Sequence, residues 1–359
     1  MLTSLMFRHA GAAGVSLIFM KYVKVEKKKA NNTIKKLVKL GAYSKGHRAF
    51  CEGDFVFVPI AKIPTGKWQI VELEKEEKQK PRDLKSVLTS KIGPEAASKL
   101  FSSFDIIGDI AIIEVPKGME KYEKELAESI REVHPNVKVV AKKASAISGD
   151  YRVRQVKVII GENRTETLYK EHGCKMFLDV AKVYFSVRLS HERRRIAEQV
   201  KPNERILALF AGVGPFPLVI AKKQPKTEIV AIELNPDAVR YMRENVKLNK
   251  VKNIIVEEGD ARKIVLEKYK NFADRILMPL PRSADEFLDV AFAGARDGCI
   301  VHIYHFAPIE DPYRDIEEKI AQEAKKANAK VKIINKRIVR PFAPKIVQVV
   351  VDFKIKFNL

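Results

Sequence analysis

A chain of 359 residues has room for two or three domains, and 46% hydrophobic content is enough to fill real cores. Lys and Arg number 67 against 45 Asp and Glu, a net charge of +22, which points to a polyanionic partner and sets nucleic acid ahead of a merely Lys-rich surface. Cys51, Cys174 and Cys299 are widely spaced and odd in number; they exclude a disulfide framework and a CxxC zinc site and fit a reducing, cytoplasmic setting.

In chain order, residues 10–20 are mostly apolar but too short to span a bilayer, and no small-residue cleavage site follows. Residues 1–19 are read as an extension or a start assigned too early, not as a signal. No long basic amphipathic helix with an aromatic face suggests membrane attachment. Residues 20–90 form a small basic unit: ten basic residues lie between Lys21 and Arg48 against one acid, Glu26. Residues 51–60 read as a turn and a strand, and 72–85 as a linker or solvated helix start. Residues 91–188 read as an α+β middle domain, with strands in 104–113 broken by a Gly-Asp turn, a helix over 122–133, and strands over 137–141 and 156–160.

The character changes at residue 189. A helix over 191–200 precedes strands over 205–210, 228–233, 253–257, 274–278, 299–304, 330–338 and 346–355. Helices over 215–223, 236–248, 261–269, 283–294 and 314–327 alternate with them. This βα alternation predicts a doubly wound, Rossmann-like α/β domain over 189–359, closed by an antiparallel edge hairpin.

The first strand of that domain runs into Phe210-Ala211-Gly212-Val213-Gly214-Pro215. Glycines there let a ligand approach the backbone, and the helix start offers free N–H groups. GxG alone also fits any tight turn. Glu233, ending the second strand, shifts the balance, because a carboxylate there can accept both ribose hydroxyls of an adenosine cofactor. Asp260, after the third strand, is placed to face an adenine amino group. The third glycine of the dinucleotide fingerprint and a Walker lysine are both missing. That weakens NAD and ATP and leaves S-adenosylmethionine, which has no phosphates to cradle.

FAGVGPF, AIELNPDAVRYMRENVKLN and GDAR resemble motifs of class I methyltransferases. SFDIIGDIAI, the run from Gly161 to Val200, and IVRPFAPKIVQVVVDF resemble the archaeal and eukaryotic tRNA (guanine(37)-N1)-methyltransferase family over nearly the whole chain after Met20. The resemblance implies S-adenosylmethionine as cofactor, held by Phe210, Gly212, Gly214, Glu233, Leu234, Asp260, Ala261 and Pro279. It implies a cytoplasmic enzyme, a monomer by preference, whose N-terminal domain docks on the tRNA outer corner. The other two domains hold the anticodon arm. The chain departs from the family at Ala208, where an acid is common. It departs again at Met278-Pro279-Leu280-Pro281, where Asn-Leu-Pro or Asn-Pro-Pro is usual, so backbone carbonyls near Pro279 and Leu280 would replace an amide.

Guanine N1 carries a proton at neutral pH, so methylating it calls for a base at N1 and a cation near O6. The resemblance points to Glu192 as the base and to Arg152 as the cation, with Arg154 as its alternative. Glu192 also suits a helix N-terminus on dipole grounds alone. Arg188 and Arg193 are expected to position the nucleotide or touch phosphates, and Tyr184 to pack by the cofactor. No metal is required, and His302 and His305 are read as structural or pocket-side. Two rivals stand: aminocarboxypropyl transfer in wybutosine biosynthesis, and a non-catalytic tRNA-binding protein. Arg188-Leu189 favours the methyltransferase over the first, where Gly-Asn is usual. Intact Gly212, Gly214, Glu233 and Asp260 speak against the second.

Overall fold

The computed structural model describes residues 17–44, 47–76, 83–100, 104–144 and 155–358. Two compact units divide at Arg82/Asp83, ahead of the 90/91 junction read from the sequence.

Among its described residues the first unit is a four-stranded antiparallel sheet with one α-helix, Ala30–Lys39. Ala30, Thr33 and Leu37 recur at helical spacing and are buried, while Lys35, Lys36 and Lys39 face solvent. Val23, Val56 and Val58 complete the core. Two expectations change here. Strand Leu17–Glu26 already includes residues 17–19, which pair with 74–76. Strand Ile70–Glu76 occupies the start of the segment read as linker, because it pairs residue by residue with strand Leu17–Glu26 and Ile70 packs on the core, while Glu72 and Glu74 are exposed.

In the second unit, strands Asp105–Ile107, Ile110–Ile113, Val139–Lys143 and Val156–Ile160 form one sheet in that order. Helix Glu123–Val133 buries Leu126, Ala127 and Ile130 in its core. A hairpin of Glu166–Glu171 and Cys174–Asp179 leads to helix Ser190–Gln199.

The alternating domain follows: β1 (Arg205–Leu209), α1 (Pro215–Lys223), β2 (Glu228–Glu233), α2 (Pro236–Leu248), β3 (Ile254–Glu258), α3 (Ala261–Lys268) and β4 (Ala273–Met278). It continues with α4 (Leu288–Gly294), β5 (Ala295–Pro308), α5 (Arg314–Lys326), β6 (Ala329–Ala343) and β7 (Ile346–Phe357). The seven strands lie in the order β3-β2-β1-β4-β5-β7-β6. β1 to β5 are parallel, and β7 is antiparallel to both its neighbours. The final hairpin is therefore not wholly at the edge, since only β6 is. Val349 and Val351 on one face of β7 and Val350 and Asp352 on the other are all buried, as a strand covered on both faces requires. The order reverses between β1 and β4, which opens a crevice at the carboxyl ends of the strands.

Candidate active site

The crevice is built from the turn after β1. Phe210, Gly212 and Gly214 all adopt positive φ, at 55°, 57° and 86°. Gly214 starts α1 in the left-handed conformation, and a Cβ there would lie 3.0 Å from Met242 Cγ. At Gly212 the nearest atom to a Cβ is Tyr184 O at 3.8 Å, so the backbone stands open to a ligand.

Glu233 joins this turn to the end of β2. Its Oε2 accepts the Gly212 N–H at 2.7 Å, and its Oε1 accepts the Asn235 N–H at 2.9 Å. Burial pushes the Glu233 carboxyl up, while the N–H groups of Asn235, Gly212 and Leu234 oppose that shift. Asn235 caps α2 by accepting from Asp237 N at 3.0 Å and donates to Lys182 O at 2.9 Å. Asp260 caps α3, its Oδ1 accepting from Lys263 N at 3.0 Å.

A cavity of about 580 Å³ lies over these groups, within the range of small-molecule sites. Phe210, Gly212, Glu233, Leu234, Asp260, Ala261 and Pro279 all line it, and Gly214 does not. Gly214 serves the turn and the packing on α2. Two carboxylates, the Phe210 ring and apolar walls suit a nucleoside whose tail is not a pyrophosphate. Among the described residues the lining includes one Arg, Arg282, and no Lys.

A second cavity of about 220 Å³ adjoins the first, and Tyr184 and Phe342 line both. Tyr184 is 43% exposed. Arg188 lines the second cavity and donates to Asp105 at 2.7 Å. Arg193 departs from its expected role. It is 1% exposed, and its guanidinium grips both oxygens of Glu171 and the Ser186 carbonyl. It braces the 166–179 hairpin from within instead of meeting RNA. Arg152 and Arg154 lie outside the described residues.

Glu192 is buried and lines neither of these cavities. Its Oε2 accepts from Arg195 Nε and from Tyr304 OH, each at 2.9 Å. Its Oε1 makes no hydrogen bond, although Arg337 Nη1 stands 3.4 Å away. Arg195 also reaches Asp352, at 2.6 and 3.3 Å. Asp352 meets His302 Nδ1 at 2.6 Å, and His302 Nε2 meets Arg275 Nη1 at 2.7 Å. A guanidinium only donates, so Nε2 must accept and Nδ1 carries the proton. Burial holds His302 below its ordinary value, against the pull of Asp352. His302 is thus a structural link, and no cluster of metal-binding type occurs among the described residues. Tyr304, Arg195 and Asp352 escaped the sequence reading because they meet Glu192 only through sheet pairing and helix packing.

The strand order, the glycine turn after β1 and the carboxylate ending β2 define a Rossmann-like methyltransferase fold. The family model for the TRM5/TYW2 methyltransferase domain matches residues 167–334. The models for the TYW2 N-terminal domain and the tRNA methyltransferase 5 N-terminal domain match 84–165 and 23–67. The tRNA (guanine(37)-N(1))-methyltransferase Trm5b of Pyrococcus abyssi is 41% identical, over 93% of this chain and 99% of that one. A crystal structure of Pyrococcus abyssi Trm5b covers 94% of this chain and 100% of its own, at 40% identity and a TM-score of 0.72. The structure of aTrm5 in complex with tRNALeu covers 94% and 99% at 31% identity, with a TM-score of 0.68. The chain belongs to the TRM5/TYW2 methyltransferase family.

Proposed function

We propose that the protein transfers a methyl group from S-adenosylmethionine to N1 of guanine 37 in tRNA, next to the anticodon. The observation that carries this reading is the pair of adjoining cavities. One has the carboxylates and open backbone for an adenosine cofactor. The other shares with it the exposed ring of Tyr184 and holds a cation for a nucleotide. The relatives named for this reaction match almost end to end.

In this account Glu233 accepts the ribose hydroxyls, and Asp260 faces the adenine amino group. Leu234, Ala261 and Phe210 enclose the base, and Pro279 and Leu280 carbonyls border the methyl side. When bound, S-adenosylmethionine supplies a methyl carbon on a sulfonium. Guanine 37 leaves its stack to reach it. N1 forms the bond to the methyl carbon, the sulfur keeps the electron pair of the broken bond, and the N1 proton passes to Glu192. Arg195 and Tyr304 hold Oε2, which leaves Oε1 for the proton; because that oxygen is buried beside Arg337 and lines neither cavity, this role requires Arg337 to move aside as guanine enters. Arg152 or Arg154 serves O6, and Arg188 and Tyr184 place the nucleotide. The basic N-terminal unit docks on the tRNA outer corner, and the protein works as a cytoplasmic monomer. Its three working parts are the N-terminal unit up to Arg82, the middle part from Asp83 to residue 188, and residues 189–359.

The test is labelled methyl transfer to two tRNA transcripts that differ only in guanine or adenine at position 37. Label in the first alone supports the reading; equal label in both refutes the site.

A further inference from the structure

Four charged groups line the second cavity: Asp105, Lys143, Arg188 and Arg340. Arg188 is neutralised by Asp105 at 2.7 Å, and Lys143 by Glu114 at 2.7 Å. Arg340 differs from both. Its Nε donates at 2.8 Å to the neutral Oε1 of Gln348, and no carboxylate among the described residues is paired with it. Among the described residues its charge meets only the Gln348 amide oxygen and the Phe342 ring, 6.0 Å from the guanidinium carbon.

Its setting is built, not incidental. β6 carries irregularities between Ile338 and Arg340 and between Pro341 and Ala343. The first makes Val339 the extra residue and brings Arg340 opposite Gln348. The second makes Phe342 the extra residue, and its ring stacks on Phe306 at 3.9 Å between centroids. Bulges of this kind re-aim side chains beside active sites. Gln348 is 1% exposed, and its Nε2 has no hydrogen-bond partner. Because a guanidinium offers only donors, the amide must turn its oxygen to Arg340. A fixed cation with no carboxylate partner among the described residues therefore borders a small cavity with the aromatic side chains of Tyr184, Phe185 and Phe342 on its wall.

We propose that Arg340, oriented by Gln348, binds the backbone phosphate of the nucleotide that enters the second cavity. A nucleotide within a chain offers one anionic group, its phosphodiester, and a guanidinium matches it in shape. Gln348 is the positioning residue, holding Nε so that the terminal nitrogens face the cavity. The proposal rests on the tRNA reading above.

The test measures binding of the full chain to an unmodified tRNA transcript across a salt series, for wild type, Arg340→Gln and Gln348→Glu. The second variant leaves Arg340 in place but sets a carboxylate on its guanidinium. Both variants are expected to weaken tRNA binding roughly tenfold and to lower the slope of log affinity against log salt by about 0.7. S-adenosylmethionine affinity, read by calorimetry, is expected to stay at the wild-type value and reports an intact fold. Wild-type slopes in both variants overturn the assignment. So does an unchanged slope with a slower single-turnover rate, which would place Arg340 on the base. A wild-type chain that binds no tRNA overturns the tRNA reading together with the proposal.

Discussion

The backbone N–H of Gly212 donates to the Glu233 carboxylate at 2.7 Å, which ties the turn after β1 to the end of β2. The glycine turn and the acid are therefore one unit. The acid shapes the turn, and the turn's N–H helps keep the acid ionised in a buried place.

Glu233→Ala should weaken S-adenosylmethionine binding by about ten- to a hundredfold, the scale of lost hydrogen bonds to a charged group. Isothermal calorimetry reads this directly, and an unchanged affinity would remove Glu233 from the cofactor site.

The same acid gives a pH dependence. Burial raises the Glu233 carboxyl above its ordinary value, and a ribose diol donates best to the ionised form. Cofactor affinity should therefore fall as pH drops through the raised value, before free carboxylates titrate near about 4.3. Binding should also release a proton wherever the free site is partly protonated. Calorimetry in buffers of different ionisation enthalpy measures that release, and no difference between buffers would count against it.

Much of this site was legible in the sequence. The glycine turn, Glu233 and Asp260 are local: each sits at the end of a strand whose apolar run marks where it stops. The identity of β7 as an inserted strand was not legible, because periodicity shows that a strand exists and not which neighbours it takes. Strand Ile70–Glu76 was hidden by its charges, because what makes it a strand is its backbone pairing with residues 17–23 and not an apolar run. Arg193 was misread for a related reason. Arg194, its neighbour, is exposed, and nothing local tells the two apart. Only the hairpin that carries Glu171 decides it, and that pairing spans 22 residues.

Glu192→Gln should leave cofactor affinity near the wild-type value and slow single-turnover methylation by about a hundredfold or more, the usual weight of a general base. Equal turnover would return Glu192 to a purely structural role beside Arg195 and Tyr304.

Asp352→Asn should destabilise the fold by about 3 kcal/mol, since it strips Arg195 of a buried counter-charge. Burial pushes the Asp352 carboxyl up, but His302 and Arg195 outweigh it and hold it well below the usual carboxylate range. A depressed carboxyl stabilises above its unfolded value, near about 3.9, and loses that stabilisation as pH falls toward the folded one. The gap in melting temperature between wild type and variant should stay constant from neutral pH to about 4 and narrow below it. A gap already closing at pH 6 would contradict the assignment.

The most direct test is mass spectrometry of nucleosides from an unmodified tRNA transcript with guanine at position 37, incubated with the protein and S-adenosylmethionine. The account requires 1-methylguanosine at that position. No product despite measured cofactor binding, or a guanosine heavier by an aminocarboxypropyl group, would contradict it.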